Sequence, residues 1–193
     1  MREPEPETIR RARAGDLRAF ESLVRDYQAD VWRFAYHLTR NRALAQDVTQ
    51  DAFLRAYRGL ASYRGQAKFT SWLLRIVRNC CYDLRERNER EPSAAAVDEE
   101  ATYAEASAEI VGFPAETPEA RLLRMADGQA LEAALHDLLP EFREVFLLRE
   151  VEGLSYKEIA EVASVPIGTV MSRLSRARTQ LRASLGGRRK ETA

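Results

Sequence analysis

An all-α chain of two small helical domains joined by a flexible acidic linker is the fold class this sequence predicts, on three observations. No stretch alternates apolar and polar residues between hairpin turns, so nothing reads as sheet. Apolar residues recur instead at helical spacing, in one block on each side of residues 91–118. That intervening stretch carries Pro92, Pro114 and Pro118, many alanines and no sustained apolar period, which is the composition of a tether. The predicted domains are therefore 1–90 and 119–193, with the linker at 91–118 and a helix-turn-helix in the second domain.

Charge divides the chain at the same places. The 193 residues have no net charge, but residues 1–90 hold 18 basic and 12 acidic side chains. Residues 91–120 hold eight acids and no base. From Val162 to the end, seven bases face one acid. Separated blocks of opposite sign suggest polyanion contacts at two places and something different between them. No apolar run approaches the ~20 residues that cross a bilayer. The opening MREPEPETIRRA lacks the apolar core of a secretory leader. Cys80 and Cys81 are adjacent, a spacing that does not suit an ordinary cross-link, and a reducing cytoplasm is the simple inference.

Taken in order, residues 5–14 read as a short charged helix ended by Gly15. Asp16 is an N-cap for a helix with Leu17, Phe20, Leu23, Val24 and Tyr27 on one stripe. A further helix is expected near 29–39, and Asn41 marks a break. ALAQDVTQDAFLRAYRGL then fits a long amphipathic helix ending at Gly59, with Leu44, Val48, Ala52 and Tyr57 inward and Phe53 and Leu54 beside them. Its other face carries Gln46, Asp47, Gln50 and Asp51. The two aspartates are i, i+4 neighbours but lack the further ligands of a metal site, so a solvated or protein-binding face is the better reading.

The polar loop ASYRGQAKF follows, and Thr70 or Ser71 is expected to cap a helix through Trp72, Leu73, Ile76, Val77, Cys80 and Leu84. From Tyr63 to Arg90, seven bases outnumber three acids and aromatic residues are interleaved with them. That combination suits single-stranded nucleic acid, where cations follow the backbone and rings or pockets receive bases. Core packing is the alternative for Phe69, Trp72 and Tyr82, and the more natural one for Trp72. Beyond the linker, Pro118 opens a helix through Leu122, Leu123, Met125 and Leu135, and Pro140 opens the next, ended by Gly153.

Leu154–Leu185 reads as two helices and a tight turn. Ser155 and Glu158 have capping-box spacing, the turn is Ala163-Ser164-Val165, and Pro166 stands where a helix can begin. The second helix repeats apolar residues at Val170, Leu174, Ala177, Leu181 and Leu185, and its other face holds Thr169, Ser172, Arg173, Arg176 and Gln180. A helical hairpin would share this layout. The basic face after the turn points to phosphates and a helix-turn-helix.

These residues resemble the sigma-70 family of bacterial transcription initiation factors, in its extracytoplasmic-function group. The first block, AQDVTQDAFLRAYRGLASYRGQAKFTSWLLRIVRNCCYDLRER, is similar to the family's region 2, and LPEFREVFLLREVEGLSYKEIAEVASVPIGTVMSRLSRARTQL to region 4. The resemblance implies a factor that binds core RNA polymerase and directs initiation at specific promoters. It implies that Gln46, Asp47, Gln50 and Asp51 meet the polymerase. It implies that Arg64, Gly65, Lys68, Phe69, Arg75, Arg78 and Asn79 read and open the −10 element, a base flipping into the loop. It implies that Thr169, Ser172, Arg173, Arg176 and Arg178 read the −35 element. The acidic linker would thread the polymerase's nucleic-acid channel. An anti-sigma factor is the further expected partner; no cofactor, metal, catalytic residue or membrane insertion is. Ser164 stands where many relatives have Gly, and Met171 where many have a base. A free-standing helix-turn-helix regulator is the alternative, and it leaves residues 44–90 unexplained. An enzyme has no support, since no nucleotide-binding loop or nucleophile motif is present.

Overall fold

The structure, a computed structural model, describes residues 1–90, 128 and 130–191. The linker and the expected helix start at Pro118, with Leu122, Leu123 and Met125, lie outside them. Every regular element among the described residues is helical. The elements are α1 (Pro6–Arg13), α2 (Leu17–Thr39), α3 (Arg42–Gly59), a 3₁₀ turn (Leu60–Ser62) and α4 (Phe69–Arg90). They continue with α5 (130–136), α6 (Pro140–Phe146), a π-helical turn (Leu147–Val151), α7 (Tyr156–Ala163) and α8 (Ile167–Glu191). No helix among the described residues is long and apolar enough to cross a membrane.

Helices α1–α4 form the first unit. Asp16 caps α2, its Oδ1 accepting from the N–H groups of Arg18 at 3.0 Å and Ala19 at 3.2 Å. The expected break before 29–39 does not occur: α2 is continuous, because its apolar stripe runs on through Leu23, Tyr27, Val31, Phe34 and Ala35, all buried. It stops at Arg40, in left-handed conformation at φ 59°, and Asn41 caps α3 by accepting from Leu44 N–H at 2.9 Å. Cys80 and Cys81 are buried, and desolvation pushes both thiols up to about 12, far from thiolate reactivity.

The second unit packs α5 and α6 on α8 through Ala134, Leu135, Leu138, Phe142, Ala177 and Leu181. Arg143, buried at its centre, donates to the carbonyls of Leu135, His136 and Leu138 at 2.8 Å each, serving the end of α5 whose carbonyls lack helical partners. The same guanidinium donates to His37 O in the first unit at 3.0 Å. The two units are in contact, and one hydrophobic cluster runs from Phe34, Leu74 and Val77 through Val145, Leu148, Ile159 and Leu174. Helix α4 packs on α7, and α2 on α6. Nothing in the sequence pattern announced this packing.

Candidate nucleic-acid interface

Helices α7 and α8 are set by short-range contacts. Ser155 N–H donates to Glu158 Oε2 at 2.8 Å while Glu158 N–H donates to Ser155 Oγ at 3.3 Å, the capping box expected from spacing. Ser164 adopts φ 55°, ψ 44°, the left-handed conformation that costs a non-glycine residue about 1–2 kcal/mol. The turn is held at that cost because Ile159, Val162 and Ala163 before it and Val170 and Leu174 after it are buried. With Val170, Leu174, Ala177 and Leu181 inward, α8 turns Ser172, Arg176 and Gln180 to solvent. Thr169 and Arg173 are half-buried. Arg178 is engaged by Glu150 at 2.6 Å, so it reaches a phosphate only by giving up that carboxylate. Met171 and Ile167 are both exposed on the first turns of α8.

The loop before α4 is shaped from beneath. Tyr63 is buried and its hydroxyl donates to Ala67 O at 2.6 Å, closing the loop on itself. Gly65 sits at φ +72°, where a side chain would be strained. Arg64, Gly65, Lys68, Arg75 and Asn79 are exposed. Phe69 is 2% exposed, packed against Tyr63 and Trp72 at ring distances of 6.0 and 5.6 Å. Its ring therefore supports the loop from the core and is not presented at the surface. The cap expected from Thr70 or Ser71 is also different: Ser71 Oγ is buried without a hydrogen-bond partner. The carboxylate of Glu3 accepts instead from Phe69 N–H at 2.5 Å and from Thr70 N–H at 3.2 Å.

Two of these bases are engaged by the second unit. Arg78 Nε donates to Glu144 Oε1 at 2.5 Å, and Tyr82 OH to Glu144 Oε2 at 2.8 Å. Glu144 is completely buried, so this pair sits in a low dielectric. The Arg78 guanidinium also lies 4.3 Å over the Tyr82 ring. Burial, the Glu144 charge and the bond to it push the Tyr82 phenol up to about 12, against the pull of Arg78 and Arg173. Lys68 meets Glu158 at 3.0 Å, the same carboxylate that closes the capping box of α7.

On α3, Gln46, Asp47 and Gln50 are exposed and Asp51 is half-buried. Arg55 bridges Asp51 at 2.8 Å and Asp83 of α4 at 2.5 Å, fixing Asp51 in place. Tyr57, expected inward, and Leu54, expected beside that stripe, are 44% and 56% exposed. At 100° per residue they fall on the face of Asp47 and Gln50, so that face mixes acids, amides and apolar groups as protein interfaces do.

Comparison with known proteins places both halves. The description "Sigma-70 region 2" matches residues 23–91, and "Sigma-70, region 4" matches residues 128–181. The chain is 36% identical over 177 residues to the RNA polymerase sigma-H factor of Pseudomonas aeruginosa, covering 91% of each chain. It is 35% identical over 176 residues to the ECF RNA polymerase sigma-E factor of Haemophilus influenzae, covering 90% of each. Among solved structures, it is similar to the sigma factor RpoE of Bartonella quintana in complex with the anti-sigma factor NepR, with TM-score 0.67, 25% identity and coverage of 88% of this chain and 98% of that one. CnrH in complex with the cytosolic domain of CnrY gives TM-score 0.64 at 26% identity, covering 93% and 96%.

Proposed function

The chain belongs to the sigma-70 family, in its extracytoplasmic-function group, and on that premise we propose how its named side chains divide the work of promoter recognition. As a sigma factor it binds core RNA polymerase and directs initiation at specific promoters; it is not itself the enzyme. The observation that carries this is the two sigma regions matched in order across nearly the whole chain. A free-standing helix-turn-helix regulator would leave the region 2 match without a role.

In this reading, residues 1–90 bind polymerase through Gln46, Asp47, Gln50 and Asp51, with Leu54 and Tyr57 adding apolar contact. Arg64, Gly65, Lys68, Arg75, Arg78 and Asn79 receive the −10 strand, the cations following its backbone. Phe69 acts from below by shaping the loop. Flipping a base costs a few kcal/mol of stacking, which contacts in this loop must offset. Residues 119–193 read −35 with Ser172 and Arg176 foremost and Thr169, Arg173 and Arg178 beside them. The acidic 91–118 linker follows the polymerase's nucleic-acid channel. An anti-sigma factor is the expected antagonist, as NepR is a partner of its own sigma factor.

Geometry adds one requirement. Elements at −10 and −35 lie about 25 base pairs apart, roughly 85 Å of duplex at about 3.4 Å per pair. Here the −10 helix touches the second unit directly, through Arg78 and Glu144. The units must part before both elements can be gripped, and parting frees Arg78 and Lys68. The 28 residues of the 91–118 linker are long enough to reach ~95 Å, enough to allow it.

Run-off transcription with core polymerase over a promoter library tests the function. Gel shift with and without core tests the division of labour. Promoter-specific binding by the isolated chain, undiminished without core, would overturn the reading.

A further inference from the structure

The loop that receives the −10 strand is fastened by a residue from the other end of the first unit. Helix α4 begins immediately after the loop, and its first N–H groups have no helical partner. The residue before it is Lys68, whose side chain has no acceptor. Glu3 supplies one across 66 residues of chain. Its Oε1 accepts from Phe69 N–H at 2.5 Å, and its Oε2 accepts from Thr70 N–H at 3.2 Å and Thr70 Oγ1 at 2.9 Å. Both carboxylate oxygens are engaged, so its orientation is set. A negative charge at a helix N-terminus is also favoured by the helix dipole.

Glu3 is itself anchored. The buried Tyr27 donates its hydroxyl to Arg2 O at 2.5 Å, fixing the backbone beside it. The other end of the loop is pinned by Tyr63, through its bond to Ala67 O and its packing on Phe69. Between these two fastenings Arg64, Gly65, Gln66 and Lys68 remain at the surface.

We propose that Glu3 is a positioning residue for promoter opening: by capping α4 it holds the Arg64–Lys68 loop in the shape that receives unpaired −10 bases. This rests on the assignment of residues 64–79 to the −10 strand. A loop ordered in advance loses little further entropy when the strand arrives, so more of the contact energy is left for opening the duplex. Glu3 also fills the anion site that the start of α4 would otherwise offer a phosphate, leaving Arg64 and Lys68 to guide the strand.

The test uses the full chain, unsubstituted and as Glu3→Ala and Glu3→Gln, assembled with core polymerase. Permanganate reactivity of −10 thymines reports opening, and affinity for a single-stranded −10 oligonucleotide reports capture. Core affinity, binding to a −35 duplex and thermal melting serve as controls. Glu3→Ala is expected to lower opening and oligonucleotide affinity by roughly tenfold, the scale of a lost helix cap, with core and −35 binding unchanged. Glu3→Gln recovers much of the loss, since its amide oxygen still accepts. Amide exchange at Phe69 and Thr70 quickens in Glu3→Ala. Wild-type opening by Glu3→Ala overturns the proposal, and so does an equal fall in −10, core and −35 binding, which would make Glu3 a general fold contact. If the unsubstituted holoenzyme shows no affinity for the −10 strand, the surface assignment itself fails and this role falls with it.

Discussion

Helix α8 presents Ser172, Arg176 and Gln180 from a frame made mostly of sequence neighbours, whereas α4 presents its face through partners at residues 3, 27, 144 and 158. The first frame is a capping box, a three-residue turn and an apolar stripe, each set by spacing along the chain. The second needs a carboxylate from the N-terminal arm, and two of its bases are held by acids of the other unit. The difference separates a grip that is formed and open from one that is formed and partly covered. A local frame keeps its shape wherever the domain goes. A frame built on contacts between units changes when the units part.

The largest effect expected on this contrast comes from the polymerase side. Asp47→Arg with Asp51→Arg should weaken core affinity by about a thousandfold, if both carboxylates meet cations of the polymerase. Asp47 is exposed, so its change should alter stability by no more than about 0.5 kcal/mol. Asp51→Arg also trades the bridge to Arg55 for a like-charge neighbour and should cost up to about 1 kcal/mol, with Arg55 keeping Asp83. A fluorescence titration with core and a thermal melt measure the two quantities; unchanged core affinity removes this face from the interface.

Glu144→Ala attacks the cover over α4. Removing one partner of a buried ion pair costs about 3 kcal/mol, here charged to the contact between units. The radius of gyration in small-angle scattering should rise, with α8 still able to bind a −35 duplex in the holoenzyme. An unchanged radius would mean that apolar packing alone holds the units together.

Acid should act at the same joint. Burial, with Arg33 and Arg143 adding, holds the His37 imidazole down to about 4, against 6.5 for an unperturbed ring. Between those values the unfolded chain binds the extra proton. Stability is therefore complete above about pH 6.5 and is lost as pH falls toward 4. The Glu132 carboxylate lies 3.4 Å from Nδ1. Urea melts from pH 7 to 4.5 should show this slope, and His37→Gln should flatten it. An equal slope in that variant assigns the effect to other groups.

Arg176→Ala is the smallest and most informative change on α8. If the guanidinium contacts a base edge, binding weakens by about 1–3 kcal/mol and unequally across −35 sequences. A uniform loss over all sequences would make it a phosphate contact.

Much of this was legible without coordinates, for a physical reason that the exceptions make plain. The Ser155–Glu158 box, the Asp16 cap, the break at Asn41 and the stripe of α8 depend on residues within one or two turns, so spacing alone specifies them. The exposure of Gln46, Asp47 and Gln50 followed from the same periodicity. Tyr57 is apolar in kind but shares the angle of Asp47 and Gln50, so the helix turns it outward with Leu54. The break expected within α2 failed likewise, since its buried stripe never lapses.

By itself, then, the sequence determined most of the helices, the caps of α2 and α7, the basic and acidic blocks and the family resemblance, all of which rest on local spacing or composition. Only the tertiary structure decided that Phe69 faces the core, that Glu3 caps α4, and that Arg78 and Lys68 meet Glu144 and Glu158. Those pairings join residues some 65 to 90 positions apart. No periodicity records such a distance; packed helices bring the partners together, and burial of Glu144 then makes a matched charge obligatory.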